Sequence, residues 1–253
     1  MLILLRILPF VLGIVNASLF LLQARSAESY PWYAVAATVF LLASAFLIIW
    51  KRGRGMSDLR LIIPSVLAVA ISGYALLLAE GFFALWAIPL FVGGLSFVSL
   101  ELLFLSTFVS AWYPVNGLSH VNLALVPITF WFTAFTSVGL TVFLNSSRII
   151  PIITMTLVSF GMFYWTSHVE AGIASRRRWA LIGGWFGFQL GVIGAVLPVN
   201  LIIHGTIAAL CGAYAVRTRR YGIMPPIPRK LAVLESLSFF VFLTVVLVTA
   251  RWV

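Results

Sequence analysis

Apolar runs of membrane-spanning length recur nine times along the chain, at about residues 2–24, 31–50, 61–79, 82–109, 121–144, 149–167, 179–197, 199–216 and 231–250. Each is near the ~20 residues that an α-helix needs to cross a hydrocarbon core. With no water there to satisfy backbone N–H and C=O groups, each run is expected to be helical. Polar or turn-rich breaks separate them, at 25–31, 51–60, 80–81, 112–120, 145–148, 170–178, 198–200 and 217–230. The seventh and eighth runs together cover 38 residues, roughly 57 Å as one continuous helix. A tight turn is therefore expected at Leu197-Pro198-Val199-Asn200. The fold expected is all-α, a polytopic transmembrane bundle of nine spans in a single domain over 1–253.

Composition removes the soluble alternative. Of 253 residues 62% are hydrophobic and 9% charged, with a mean hydropathy of +1.13, and almost none of the helical stretches has the polar face that a globular helix needs. The formal charge of +10, from 16 basic and 6 acidic residues, sits in clusters between apolar runs. That is the positive-inside pattern rather than a groove for phosphates, and no nucleic acid is expected as a partner. Arg6, Lys51, Arg52, Arg54, Arg60, Arg176, Arg177, Arg178, Arg217, Arg219, Arg220, Arg229 and Lys230 fall on one side of a nine-span chain, and Arg25, Arg148 and Arg251 on the other. The split of 13 to 3 puts the N-terminus in the cytoplasm and the C-terminus outside, in a multi-pass protein of the plasma (inner) membrane. Residues 2–24 lack a basic leader and read as a retained first span. The loop 217–230, with Pro225, Pro226 and Pro228, reads as an extended connector whose basic ends suit an anionic inner leaflet, worth about 1 kcal/mol per residue. A lone cysteine, Cys211, rules out an intramolecular disulfide.

Candidate chemistry begins with Glu101. It is the single charge in residues 85–108, and a carboxylate inside a span is costly enough to be a functional candidate by default. Depth counting at 1.5 Å per residue puts it roughly 10 Å below the inner boundary. Arg6, Glu235, His120, His168 and Glu170 fall at the same level on other spans. Arg6 with Glu101 or Glu235 is the expected ion pair, and a Glu–His arrangement there is a candidate for coupling to protons or substrate. Against this stands ordinary interfacial solvation, with Arg6 snorkelling to the headgroups.

The seventh span carries Gly183, Gly187 and Gly191 at four-residue spacing, a pattern for close helix approach and a candidate surface for homo- or hetero-oligomers. Gln189 on a neighbouring face, and Asn200 with His204 at the start of the eighth span, are expected to hydrogen-bond between helices, with ligand binding as the alternative. An Ile-Ile-Pro echo at 62–64 and 149–151 hints at an inverted repeat. Asn145-Ser146-Ser147 fits a glycosylation acceptor. Aromatic residues such as Trp32, Trp112 and Trp165 form an interfacial belt. No lysine lies within a span, which excludes a retinal Schiff base, and no hydrolase, zinc or phosphate-loop motif occurs. His168-Val169-Glu170 supplies too few ligands for a metal, so neither metal nor cofactor is expected. Three functions fit: a small carrier or channel for a solute, ion or lipid, a scaffold or accessory subunit, and an intramembrane lipid-modifying enzyme using Glu101 with a histidine.

Overall fold

The computed structural model describes residues 2–26, 28, 30–51, 56–109, 112–114, 116–166, 173–221 and 228–250. Among them lie nine α-helices: α1 (Leu2–Arg25), α2 (Trp32–Lys51), α3 (Ile63–Ala75), α4 (Ile88–Phe108), α5 (Gly117–Phe143), α6 (Ile149–Thr166), α7 (Ile173–Val196), α8 (Leu201–Tyr221) and α9 (Arg229–Thr249). Eight are long and apolar enough to cross a membrane. The protein is all-helical and of the multi-pass type.

Where helix ends differ from the hydropathy boundaries, local chemistry explains them. The third run yields only 13 helical residues, α3, entered through a 3-10 turn over Met56–Leu61. Pro64 sits in its first turn, where the missing N–H costs nothing. At its far end Leu77 N–H bonds Tyr74 O and Leu78 N–H bonds Ala75 O, so the chain tightens and stops. The Ile-Ile-Pro of α6 stands at the same kind of position, with Pro151 in the first turn. The fourth run opens on a π-turn, Phe83–Ala87, just ahead of Pro89, whose absent N–H leaves a carbonyl one turn back without its usual partner. α7 starts six residues before the apolar run, taking in Arg176–Arg178, because arginine is a good helix former whatever its hydropathy. The turn at residues 197–200 is present, between α7 and α8.

The chain divides into two compact units, Met1–Asn122 and Leu123–Val253, with the division inside α5. In the first, α1 and α4 run antiparallel. Arg6 meets Glu101, Phe10 meets Phe97 edge-on, and Asn16 Nδ2 donates to Ser96 Oγ at 2.9 Å. A Cβ added at Gly93 would stand 2.7 Å from the Gly13 carbonyl and 2.7 Å from Ala17 Cβ, so small residues set this approach. α3 climbs beside them: Ser65 Oγ lies 2.7 Å from Ser99 Oγ, and two turns later Gly73 lies against Ala34 and Phe20. Asn122 Nδ2 donates to Leu61 O at 2.8 Å.

In the second unit the glycine ladder of α7 lies on α6. A Cβ at Gly183 would strike the Phe163 side chain, at Gly187 the Met155 carbonyl and Ser159, and at Gly191 the backbone of Pro151 and Ile152. The partner of this face is therefore a helix of the same chain, and an oligomer through these glycines would have to displace α6. α8 uses Gly205 and Gly212 to admit Trp131 and Phe130 of α5. α9 leans on α8 through Tyr214, stacked on Phe239 at 4.3 Å and 2.9 Å from Ser236 Oγ.

Candidate functional site

Of the six inner-level candidates, the structure pairs two as expected. Arg6 and Glu101 form an ion pair, and the guanidinium sits 5.4 Å from the centre of the Phe104 ring. The Arg6 side chain is 53% exposed and Glu101 19%, so the pair lies at the surface of its unit. Its charges answer each other, which is the cheapest way to keep a carboxylate there. Glu235 takes a different cation from the one anticipated, Arg217 on the neighbouring α8 at 3.4 Å. His120 is exposed on the first turn of α5, with Nδ1 2.9 Å from the Asn116 carbonyl. His168 and Glu170 lie outside the described residues.

The secondary polar candidates also resolve. Gln189 stands on the exposed face of α7. Asn200 caps α8, its Oδ1 accepting the Ile202 N–H at 3.0 Å, an N-cap that satisfies one orphan donor of the first turn. His204, only 4% exposed, places Nε2 3.0 Å from the Leu197 carbonyl. A carbonyl can only accept, so Nε2 carries the hydrogen and fastens the α7–α8 turn. Both expected partnerships between helices thus become local ones, because the turn brings its own backbone within reach.

Asn200 and His204 nevertheless belong to the largest opening described in the second unit. Four chain ends converge there: the end of α5, the start of α6, the end of α7 and the start of α8. They leave an open cavity of about 810 Å³. Its polar lining is Thr141, Asn145, Ser146, Ser147, Arg148, Asn200 and His204; the rest is apolar. Asn145 turns the chain out of α5 with a left-handed φ of 49°, which asparagine tolerates better than most residues. Ser147 Oγ accepts the Ile149 N–H at 3.4 Å at the start of α6. Beside it lies a small space of about 10 Å³, and His204, Val138 and Gly194 line both. Such a space is near the lower limit for one water molecule.

Sequence reasoning had marked Asn200 and His204 but passed over Ser146, Ser147 and Arg148, which read only as a loop with a short acceptor motif. The available signal was topological: loops separated by two spans lie on one side, and 145–148 and 197–200 are such a pair. At the opposite end of α8 a second omission appears. Arg219, 1% exposed, donates to Thr166 Oγ1 at 3.1 Å and to the Thr166 carbonyl at 3.2 Å. It sets a cation on the C-terminal end of α6, where the helix dipole is negative. Among the described residues no three His, Cys, Asp or Glu side chains gather as a metal site requires. No known protein family, curated protein or solved structure matches the chain.

Proposed function

We propose that this protein is a membrane carrier for a small polar solute, and that the cavity between the ends of α5, α6, α7 and α8 is its binding mouth. The observation that carries this reading is the position of His204, which borders both the open cavity and the small space beside it. A side chain shared by two adjoining spaces is where a solute would pass. The volume, about 810 Å³, suits a small molecule, since such sites run from roughly 300 to 1,000 Å³ with a few polar groups on an apolar wall. Glu101 takes no part in this scheme.

The basic residues support a cytoplasmic N-terminus in the plasma (inner) membrane. The antiparallel course of α1 and α4 supports nine crossings, because α3 must then return the chain across the layer despite its 13 residues. The scaffold reading keeps one point in its favour, that α9 has no buried residue. An intramembrane enzyme would need Glu101 within hydrogen-bond reach of a histidine. The carboxylate is engaged by Arg6 and His120 by Asn116.

The test is a panel of glycerol, glycerol 3-phosphate, acetate and choline, added to the full chain in a maltoside detergent. At least one should raise the unfolding temperature saturably. Ala195→Trp, which fills the cavity from its wall, should abolish that shift. No response to any of the four, or an undiminished response in Ala195→Trp, would overturn the reading.

A further inference from the structure

The mouth's lining also indicates what it takes, an inference that rests on the carrier reading and narrows it. Arg148 is the one charged side chain in the lining, and no carboxylate is present. It makes no ion pair or hydrogen bond among the described residues, and it is exposed. The N-terminal ends of α6 and α8 open onto the same space, as do the C-terminal ends of α5 and α7, so the half-charges of the four helix ends largely offset one another. The first N–H groups of α8 are mostly taken: Ile202 bonds Asn200 Oδ1, and Ile203 and His204 bond the Asn200 carbonyl. Side chains must therefore supply both the charge and the donors. Asn145 and Asn200 offer amides, and Arg148 offers a planar fork of N–H groups. The Ser146 hydroxyl oxygen is enclosed, without a hydrogen-bond partner among the described residues, and so does not face the open cavity.

A cation would meet the guanidinium with no carboxylate in the lining to offset it, and a neutral solute would leave that charge to solvent alone. We infer that the mouth binds an anionic phosphate ester, with the Arg148 guanidinium on the phosphate oxygens and the organic part against the apolar wall. Arginine suits this role because its fork matches phosphate oxygens two at a time. The ester has two sources, a small soluble metabolite or a phospholipid headgroup, and both present the same chemistry to Arg148.

The experiment titrates the full chain in maltoside micelles with glycerol 3-phosphate, with glycerol, and with micelles doped with phosphatidic acid. Arg148→Gln and Ser146→Ala are titrated alongside; both changes lie in the connection between α5 and α6, where refolding risk is small. Saturable binding of glycerol 3-phosphate, weakened about tenfold or more in Arg148→Gln and unmatched by glycerol, is the expected result with a soluble source. The same loss seen only with phosphatidic acid supports the inference and assigns the lipid as source. Ser146→Ala, which removes an enclosed hydroxyl that does not face the cavity, should leave the affinity for either ligand within about twofold. Equal binding of glycerol and its phosphate, or an Arg148→Gln affinity within twofold of the parent, overturns the anion inference while the carrier reading stands. Failure of both phosphates overturns it too, and failure of glycerol, acetate and choline as well removes the carrier reading with it.

Discussion

A charge placed inside an apolar helix persists only where something answers it, and the answers in this protein come from neighbouring helices. Glu101 has Arg6 and Glu235 has Arg217; both pairs are partly exposed and modest in worth. Arg219 is the exception, buried with its guanidinium on the last carbonyl of α6. Arg219→Leu should destabilise the protein by about 2–4 kcal/mol, since it strips a charge-assisted donor from a buried carbonyl. Arg219→Lys should restore little, because one ammonium cannot reproduce two directed N–H groups. Thermal unfolding in detergent checks both, and an unchanged Arg219→Leu midpoint would refute the assignment. The residues of this pair of ends were only half legible. Glu101 stood out because it interrupts an apolar run, but nothing in Arg217, Arg219 and Arg220 says which turns inward until α8 is known to continue through Tyr221.

Helices here are held together by small residues, and spacing in the sequence revealed the pattern but not the partner. The ladder of Gly183, Gly187 and Gly191 announced a close approach; that α6 makes it follows from the short connection of an antiparallel hairpin. Gly13 and Ala17 carry the same four-residue signal more faintly, and they set the α1–α4 contact at Gly93. Glycines at these contacts should be intolerant of side chains, and those elsewhere tolerant. Gly187→Leu would force the added atoms onto the Met155 carbonyl and Ser159, costing about 1–3 kcal/mol or more through overpacking. Gly94→Ala, with nothing within 4 Å of the added carbon, should be neutral or stabilising by up to about 1 kcal/mol through helix propensity. The reverse ranking in denaturation midpoints would contradict the packing described. α3 shows the limit of hydropathy in the other direction, since apolar residues continue past Ala75 while the tightened turns at Leu77 and Leu78 end the helix.

For the whole molecule, the all-helical, multi-pass character was plain from the apolar runs, whereas the division into two units was not, because it falls inside a continuous helix rather than at a linker. The topology has a direct check in a Cys211→Ser background. Single cysteines replacing Ser26 and Ser147 should react with a membrane-impermeant maleimide from one side of sealed vesicles, and those replacing Lys51 and Arg229 only from the other. Mixed labelling within either pair would break the nine-crossing arrangement. The mouth was the least legible feature, because it is built from the ends of four helices whose residues, taken singly, look like ordinary turns. The sequence pointed first to Glu101, and the geometry points to Arg148 and His204. Binding of glycerol 3-phosphate to Glu101→Gln and Ala195→Trp therefore tests the account most directly. Affinity within about twofold of the parent in Glu101→Gln, with saturable binding lost in Ala195→Trp, is the predicted result; binding lost in Glu101→Gln and kept in Ala195→Trp would contradict it.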